Sequence, residues 1–324
     1  MAIQIKKDGT EVSGLVDDNV IQPFSLDKSN VRGRMVRLGS VLTDIMAQHK
    51  YPAPVASLLS EMVTLCILLS AMIKYEGTFS LQVKSEGAIK SMVADVTSAG
   101  EVRAYASFNE DSVFAETEGE IDNKEFYKLL GKGYIAFTVK GEGNVDQSYQ
   151  GIVALQGKSI IKDIEHYFEQ SEQIQTSFKI AVHPQDGMWR AGGIMIQNMP
   201  TEVFLDKEKQ MEEEERWNRP AIMLSSCQDD EMLSPNLHSA DVLFRLFHED
   251  GVRVYSPQPL RFGCPCSRQK VEGVIATLTK QDIEGLFAEE ESISVTCEFC
   301  SEEYKFSKLE VEQAVENKLK KQEQ

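Results

Sequence analysis

The sequence predicts an α+β protein in three parts: an antiparallel-sheet core domain with helices over residues 1–200, a helical linker of marginal stability over 201–255, and a small four-cysteine domain over 256–324. Short alternating runs of apolar and polar residues fill the first part. A charged run with four consecutive glutamates follows, and four of the six cysteines lie near the carboxyl end. A chain of 324 residues is long enough for two or three domains.

Two helices are expected early in the core domain, at about 40–49 and about 54–74. Pro54 suits the first turn of the second helix, where a missing backbone N–H leaves nothing unpaired. The most apolar run of the chain, 62–73, is shorter than the roughly 18 residues that a membrane-spanning helix needs. We therefore expect no membrane span, and a buried, inert thiol at Cys66 within this helix.

Five alternating runs come next, separated by turn residues, and they predict an antiparallel meander: TFSLQVK, AIKSMVADV, VRAYASF, YIAFTVK and SYQGIVAL. A helix at about 159–170 and the strands SFKIAV and GGIMIQ complete the domain near Pro200. One local basic run is interpreted as the solvated edge of a strand, and it comprises Lys28, Arg32, Arg34 and Arg37.

The linker begins with the segment DKEKQMEEEERWNRP, 206–220, which has no apolar periodicity beyond Met211 and Trp217. Such a segment buries too little surface to offset its ordering entropy, so it is a linker or a marginal helix. A second helix follows, with Ser239 as its expected N-cap. Its apolar residues are dense: Val242, Leu243, Phe244, Leu246 and Phe247.

The net charge of −17 argues against a nucleic-acid partner, because a phosphate-binding face needs clustered Lys and Arg. The start, MAIQIKKDGT, lacks the apolar segment of a signal peptide. The protein is therefore expected in the cytoplasm. Stable disulfides are rare there, and paired cysteines more often indicate metal or redox chemistry.

Cys264, Cys266, Cys297 and Cys300 form a C-x-C and a C-x-x-C motif with thirty residues between them. Side chains two residues apart on an extended strand lie about 6.6 Å apart, whereas a disulfide needs Cβ atoms within about 4.5 Å. Four thiolates bound to one Zn²⁺ are only about 3.8 Å apart, and a turn through Pro265 can provide that spacing. The motifs therefore predict one Zn²⁺ per chain.

The surrounding residues predict a small fold that depends on this metal. Helices are expected at about 267–278 and from Thr279, where Asp282 completes a capping box, and Ser307 caps a final helix. SISVTC and EYKF form a hairpin with the C-x-x-C at its turn. A unit of about 60 residues is marginal alone, and structural zinc contributes roughly 10–16 kcal/mol. Removing the metal should unfold the unit.

These thiols also suit redox regulation. Oxidants attack thiolates, and a neighbouring cysteine can convert the resulting sulfenic acid into a disulfide. A C-x-C disulfide would be strained and so easily reduced again, as regulatory disulfides are. The residues thus describe a zinc fold that oxidation can release, joined to a fragile segment that carries apolar side chains.

Several motifs resemble those of the 33 kDa heat-shock chaperonins, and the resemblance covers nearly the whole chain. In the core domain they are VRGRMVRLG, YPAPVASLL, GKGYIAFTV, YQGIVAL, EHYFEQSEQ and AGGIMIQNMP. Further along they are RLFHEDGVRVYSPQPLRFGCPCSR and VTCEFC. The C-x-C and C-x-x-C pair at this separation is specific. The acidic run 212–215 and the additional Cys227 depart from the pattern and make the boundaries of the linker less sharp.

The resemblance implies a redox-regulated holdase that works without ATP and is not an enzyme. It implies that the reduced, zinc-bound form is inactive, and that oxidation forms the disulfides Cys264–Cys266 and Cys297–Cys300, releases zinc and unfolds the linker. The exposed surfaces, in a dimer, would then bind unfolding proteins. The apolar residues 242–247 are the candidate client-binding set, buried in the reduced form and exposed in the oxidised one.

Two other classes stay open on the residues alone. A thiol-disulfide oxidoreductase would place its C-x-x-C at the start of a helix in a βαβ unit, whereas Cys297 and Cys300 follow a predicted strand into a hairpin. A zinc-ribbon interaction module for nucleic acid would need a basic face, and the last sixty residues are rich in glutamate.

Overall fold

The computed structural model describes residues 18–117, 123–141, 150–185, 187–199, 207–288 and 291–322. It divides into two compact units, Met1–Phe262 and Gly263–Gln324. Both contain helices and antiparallel strands, so the predicted α+β class is confirmed. The division of the first unit into a core domain and a linker stays a prediction. Part of that linker, 201–206, and the start of the predicted strand at 148–149 lie outside the described residues.

Within the described ranges the strands are β1 (Val20–Leu26), β2 (Val31–Leu38), β3 (Gly77–Ser85), β4 (Ile89–Thr97), β5 (Glu101–Phe108), β6 (Gly133–Gly141), β7 (Gln150–Ala154), β8 (Thr176–Gln185), β9 (Met188–Asn198), β10 (Val252–Val254), β11 (Gln258–Pro259), β12 (Arg261–Phe262), β13 (Ser292–Thr296) and β14 (Glu303–Ser307). The α-helices are α1 (Ser40–Met46), α2 (Ala53–Ser70), α3 (Glu110–Thr117), α4 (Ile160–Tyr167), α5 (Lys207–Ser226), α6 (Asp229–Leu233), α7 (Ser239–Phe247), α8 (Arg268–Ile275), α9 (Lys280–Leu286) and α10 (Lys308–Gln322).

Two sheets make up the first unit. The first has the strand order β10-β1-β2-β9-β8, with β11 also beside β1, and all of its pairs are antiparallel. The second has the order β12-β5-β4-β3-β6-β7. The five strands predicted as a meander, β3 to β7, all lie in it, but the predicted meander order was wrong, because β6 pairs with β3 and not with the preceding strand β5. Only its edge pair, β12 with β5, is parallel. A 3₁₀ helix, Asn123–Leu130, precedes β6 along the chain, and a π-helical turn, Phe168–Glu172, follows α4.

Helix α2 packs against strands of both sheets and forms the centre of the main core. By length and composition alone its 18 residues could span a membrane, but 78% of that stretch is buried inside the protein. It is buried nearly all round because both sheets cover it. Cys66 lies within it, is fully buried, and donates a hydrogen bond to the Ala94 carbonyl over 3.2 Å.

The β1–β2 hairpin was not predicted as such, and the interpretation of its basic run as a solvated edge was wrong. Strand β2 lies between β1 and β9, and Arg37 is only 1% exposed. Of the four basic residues only Lys28 is exposed. Gly33 faces Phe24 across the hairpin, where a Cβ would fall 2.1 Å from the Phe24 ring, so only glycine fits there.

Helices α5, α6 and α7 cover the outer face of the first sheet. The charged segment is helical from Lys207, and Trp217 and Leu224 of α5 are buried with α7 against β1, β2 and β9, whereas Met211 and Ile222 are exposed. The α7 N-cap is His238, whose Nδ1 accepts a hydrogen bond from the Ala240 N–H, and not Ser239 as predicted. The short helices α6 and α7, of five and nine residues, and the strongly charged helix α5 give this layer little intrinsic stability.

The second unit contains the β13–β14 hairpin and helices α8, α9 and α10. Its small core has four fully enclosed side chains: Ile275, Ile283, Phe306 and Val311. The predicted capping box of Thr279 and Asp282 is present, and Ser307 and Glu310 exchange hydrogen bonds at the start of α10. Four buried side chains make a marginal core for a unit of this size, which agrees with the prediction that the unit needs a bound metal ion to stabilise it.

Candidate metal centre

Two loops of the second unit carry the four cysteines. Cys264 and Cys266 lie directly before α8, whose N-cap, Ser267, accepts a hydrogen bond from the Lys270 N–H over 3.3 Å. Cys297 follows the last residue of β13, and Cys300 lies in the turn that leads to β14. The C-x-x-C therefore lies in a hairpin turn, as predicted, and does not begin a helix.

The turn is closed by the backbone. The Cys297 N–H donates to the Glu302 carbonyl over 2.9 Å, and the Ser301 N–H donates to the Cys297 carbonyl over 2.8 Å. Ser301 adopts a left-handed conformation with φ of 56°. This tight turn places both sulfur atoms of the motif on the same side, where they face the first loop.

All four sulfur atoms lie within 4.8 Å of one another. The Cys264 and Cys297 sulfurs are 3.7 Å apart, and those of Cys266 and Cys300 are 3.3 Å apart. Sulfurs bound to one tetrahedral metal ion would be about 3.8 Å apart. The cluster is thus able to hold a metal ion, and it is the group of His, Cys, Asp and Glu side chains among the described residues whose ligand atoms lie close enough together to do so.

The raised pKa values of two thiols in the cluster show why a bound cation would stabilise it. Partial burial is the main cause that raises the pKa of Cys266 and the pKa of Cys300, and the Cys264 thiol raises the pKa of both further. Four thiolates packed together repel one another, so without a cation most of them keep their protons. A divalent ion removes this obstacle because it stabilises every thiolate at once.

Two neighbouring side chains support the loops. The Tyr304 hydroxyl donates to Cys266 Sγ over 3.2 Å, and this bond is the main reason why the pKa of Tyr304 is raised. Lys270 Nζ donates to the Pro265 carbonyl over 2.6 Å, which fixes the loop between the first two cysteines. Sequence reasoning missed Tyr304, since nothing in the spacing of EYKF shows that its ring turns towards the sulfurs.

The other two cysteines lie in the first unit. Cys227 is 2% exposed, and burial raises its pKa to about 11. Burial raises the pKa of Cys66 well above its ordinary value. Both thiols are therefore poor nucleophiles at neutral pH.

The apolar set 242–247 is also in the first unit, on α7. Val242, Leu243 and Phe247 are buried, Leu246 is half-buried, and Phe244 is 38% exposed. Phe247 stacks on Phe24 of β1 with ring centroids 5.8 Å apart. The set is thus mostly covered in this structure, and its role in binding stays a prediction.

Two buried arginines of the first sheet hold α6 and the segment that joins it to α7. Arg37 donates to the carbonyl of Met232 over 3.0 Å, to that of Glu231 over 3.3 Å, and to those of Ser234 and Leu237. Arg190 donates to the Leu233 carbonyl over 3.1 Å and pairs with Asp18. The sequence could not show this, because the carbonyls lie about two hundred residues from Arg37 along the chain.

Two sheets around a buried helix, joined to a unit whose four cysteines are able to hold a metal ion, define a class of α+β proteins with two units. A family model described as Hsp33 protein matches residues 19–307. A 33 kDa chaperonin of Caulobacter vibrioides is 33% identical over 297 residues, which are 90% of this chain and 96% of that protein. A 33 kDa chaperonin of Pseudomonas aeruginosa is 35% identical over 296 residues, 90% of this chain and 93% of that protein.

The crystal structure of a 33 kDa chaperonin, a heat shock protein 33 homologue, from Thermotoga maritima has the same fold. The two superpose with a TM-score of 0.74 over 94% of this chain and 100% of the other, at 22% sequence identity. The chain belongs to the Hsp33 family. This is a family of chaperones and not of enzymes, in agreement with what the resemblance of the motifs implied.

Proposed function

We propose that this protein is a redox-regulated chaperone of the cytoplasm that holds unfolding proteins without ATP. The observation that carries the proposal is the cluster of four cysteine sulfurs in a unit with a very small core. The reduced cluster binds one Zn²⁺ and the protein is inactive. Oxidation of the cluster releases the metal and exposes apolar surface to which clients bind.

Zinc fits the ligand set best. Four thiolates arranged as a tetrahedron suit Zn²⁺ or an iron–sulfur cluster, and a structural zinc site is the simplest occupant. The ion would be held by Cys264, Cys266, Cys297 and Cys300, and it would link the two cysteine loops to each other. The Tyr304 hydroxyl and the Lys270 contact to the first loop support the same arrangement.

The oxidation consumes two molecules of hydrogen peroxide per chain. A thiolate attacks one peroxide oxygen, forms a sulfenic acid and releases hydroxide, which takes up a proton to give water. A neighbouring thiol then displaces a second water and forms the disulfide. The proposed pairs, Cys264–Cys266 and Cys297–Cys300, rest on the resemblance of the motifs to the family, since every sulfur lies within reach of the others.

Loss of the metal is coupled to the first unit through the chain itself. Between α7 and Gly263 the chain is held by β10, β11 and β12, which are three, two and two residues long. Short edge pairings of this kind open at little free-energy cost. Once the second unit unfolds, we expect these strands to detach and the layer of α5, α6 and α7 to loosen with them.

Two apolar surfaces then become available. One is the α7 face with Val242, Leu243 and Phe247, and the other is the part of the first sheet that this face covers. Each large apolar side chain contributes about 1.5–3 kcal/mol when it is buried again against a client. Pairing of two oxidised chains through part of this surface gives the proposed dimer, and the net charge of −17 keeps the complexes in solution.

An aggregation assay tests the proposal. Peroxide-treated protein should suppress the light scattering of a thermally unfolding client without ATP, a thiol reductant should abolish this effect, and the reduced form should do little. Cys66→Ser is the matched control, because that thiol lies outside the cluster and the variant should behave as the parent does. Cys297→Ser should lose zinc and the reversible switch. Equal suppression by the reduced and the oxidised protein would rule out the switch.

A further inference from the structure

A cavity of about 450 Å³ lies in the first unit, beside the carboxyl end of α2. Its walls are mainly apolar, and Leu69, Phe79 and Phe137 are each at most 5% exposed. Small-molecule sites have volumes of roughly 300–1,000 Å³ and walls of this kind. The redox centre uses none of these residues, so the cavity has no part in the proposed switch.

One cation in the wall of the cavity lacks a counterion. Arg32 of β2 lines the cavity, and its Nε is buried without a hydrogen-bond partner. Among the described residues no carboxylate forms an ion pair with it. The neighbouring Arg34 uses its donors on the carbonyls of Ala71 and Gly33, at 3.0 and 2.8 Å. Buried polar groups are nearly always paired, so an unpaired guanidinium donor indicates a missing acceptor.

The remaining charged groups do not supply that acceptor. Lys74 and Glu76 also line the cavity and are exposed, and Glu172 accepts a hydrogen bond from the Tyr167 hydroxyl over 2.9 Å. A ligand for this site therefore needs an anionic end for Arg32 and an apolar body for the rest of the wall. A carboxylate matches a guanidinium with two parallel hydrogen bonds.

We propose that this cavity binds a free medium-chain fatty acid. Its carboxylate pairs with Arg32, and its alkyl chain lies against Leu69, Phe79 and Phe137. The site is present in the reduced protein and is a property of the folded first unit. Its existence neither requires nor weakens the redox switch.

Calorimetric titration of the reduced, zinc-loaded full chain with decanoate, below its micelle-forming concentration, tests the proposal. We expect saturable binding of one decanoate per chain. Decanol has the same alkyl chain without the charge and should bind at least about tenfold more weakly. Decyltrimethylammonium has the opposite charge and should not bind. Equal affinities for decanoate and decanol, or no saturable binding of decanoate, would overturn the proposal.

Variants locate the site. Arg32→Gln should weaken decanoate binding about tenfold or more and leave decanol nearly unchanged, because only the charged pairing is lost. Met72→Trp places a larger side chain in the lining and should abolish binding of both ligands. Arg253→Gln removes an arginine that pairs with Asp27 elsewhere, and it should change neither affinity. Melting temperatures close to that of the parent confirm that the variants are folded, and unchanged decanoate binding by both cavity variants would place the ligand elsewhere.

Discussion

Tyr304 connects the β13–β14 hairpin to the cysteine cluster, because its hydroxyl donates to Cys266 Sγ over 3.2 Å. A hydrogen bond to a metal-bound thiolate disperses negative charge and orients the ligand. Tyr304→Phe keeps the ring and removes only this donor, so we expect zinc affinity to fall about tenfold. Competition with a chromogenic chelator measures it. Tyr255→Phe is the control, since the Tyr255 hydroxyl lies 3.0 Å from Ser25 Oγ in the first unit. Equal zinc affinities of the two variants would show that the Tyr304 hydroxyl does not contribute to metal binding.

Glu61 is an acidic residue on the central helix α2, and burial raises its pKa from 4.5 to about 7. The native state therefore holds a proton that the unfolded chain releases between these pH values, and stability falls as pH rises through this window. Above pH 7 the full penalty applies. One pKa unit corresponds to about 1.4 kcal/mol. Because part of the Glu61 side chain remains accessible to solvent, we expect its ionisation to lower the free energy of unfolding by about 1–2 kcal/mol.

The variant Glu61→Gln removes this ionisation. Urea unfolding of the first unit should show a gain of about 1–2 kcal/mol at pH 8 and a smaller gain at pH 5.5. Glu116→Gln, an exposed carboxylate on α3, should change stability little at either pH. A gain for Glu61→Gln that is the same at both pH values would show that ionisation is not its cause.

At the scale of the element, the segment between α6 and α7 depends on Arg37. From within the first sheet its guanidinium donates to two carbonyls at the end of α6 and to two in the segment that follows. Arg37→Met keeps the apolar stem and removes these charged donors, at a cost of at least about 2 kcal/mol. We expect residues 229–247 to lose amide-exchange protection in the reduced protein while β3 to β6 keep theirs. Arg253→Met, at an exposed pair with Asp27, is the control. Unchanged protection of 229–247 would show that other contacts hold the segment.

Helix α7 offers a matched pair of phenylalanines. Phe247 is fully buried on Phe24, whereas Phe244 is 38% exposed. Truncation of a buried phenylalanine costs about 3–5 kcal/mol, so Phe247→Ala should loosen α7 and raise aggregation suppression by the reduced protein. Phe244→Ala should leave the reduced form inactive. If both variants stay inactive when reduced, release of α7 is not sufficient for client binding.

The elements differ in how far the sequence predicts them. Strands β3 to β7 and the caps of α9 and α10 follow from local alternation and from residue pairs three apart, so the sequence alone predicts them. The pairing of β6 with β3 joins segments about fifty residues apart, and local alternation cannot show it. The position of β2 inside a sheet depends on β9, far along the chain, and Arg37 of β2 therefore looks solvated until its distant carbonyl partners are known. The cysteine spacing predicts the metal site because a tetrahedral ion needs only ligands, whereas Tyr304 depends on how the hairpin turns.

At the scale of the whole molecule, stability is divided unequally. The first unit has a large core around α2, and the second has four enclosed side chains. Structural zinc contributes roughly 10–16 kcal/mol to small domains, which exceeds what so small a core supplies. In the proposed mechanism, oxidation of four sulfurs therefore unfolds one unit and leaves the sheets of the other intact.

Amide hydrogen exchange of the full chain, reduced with zinc and oxidised with peroxide, tests the central claim most directly. The account predicts that oxidation removes protection from 263–322 and from the α5 to α7 layer, 207–247, while β3, β4 and β6 keep theirs. Chelation of zinc under reducing conditions should remove protection from 263–322 as well. Protection that is unchanged on oxidation, or that is lost uniformly across the chain, would contradict the account.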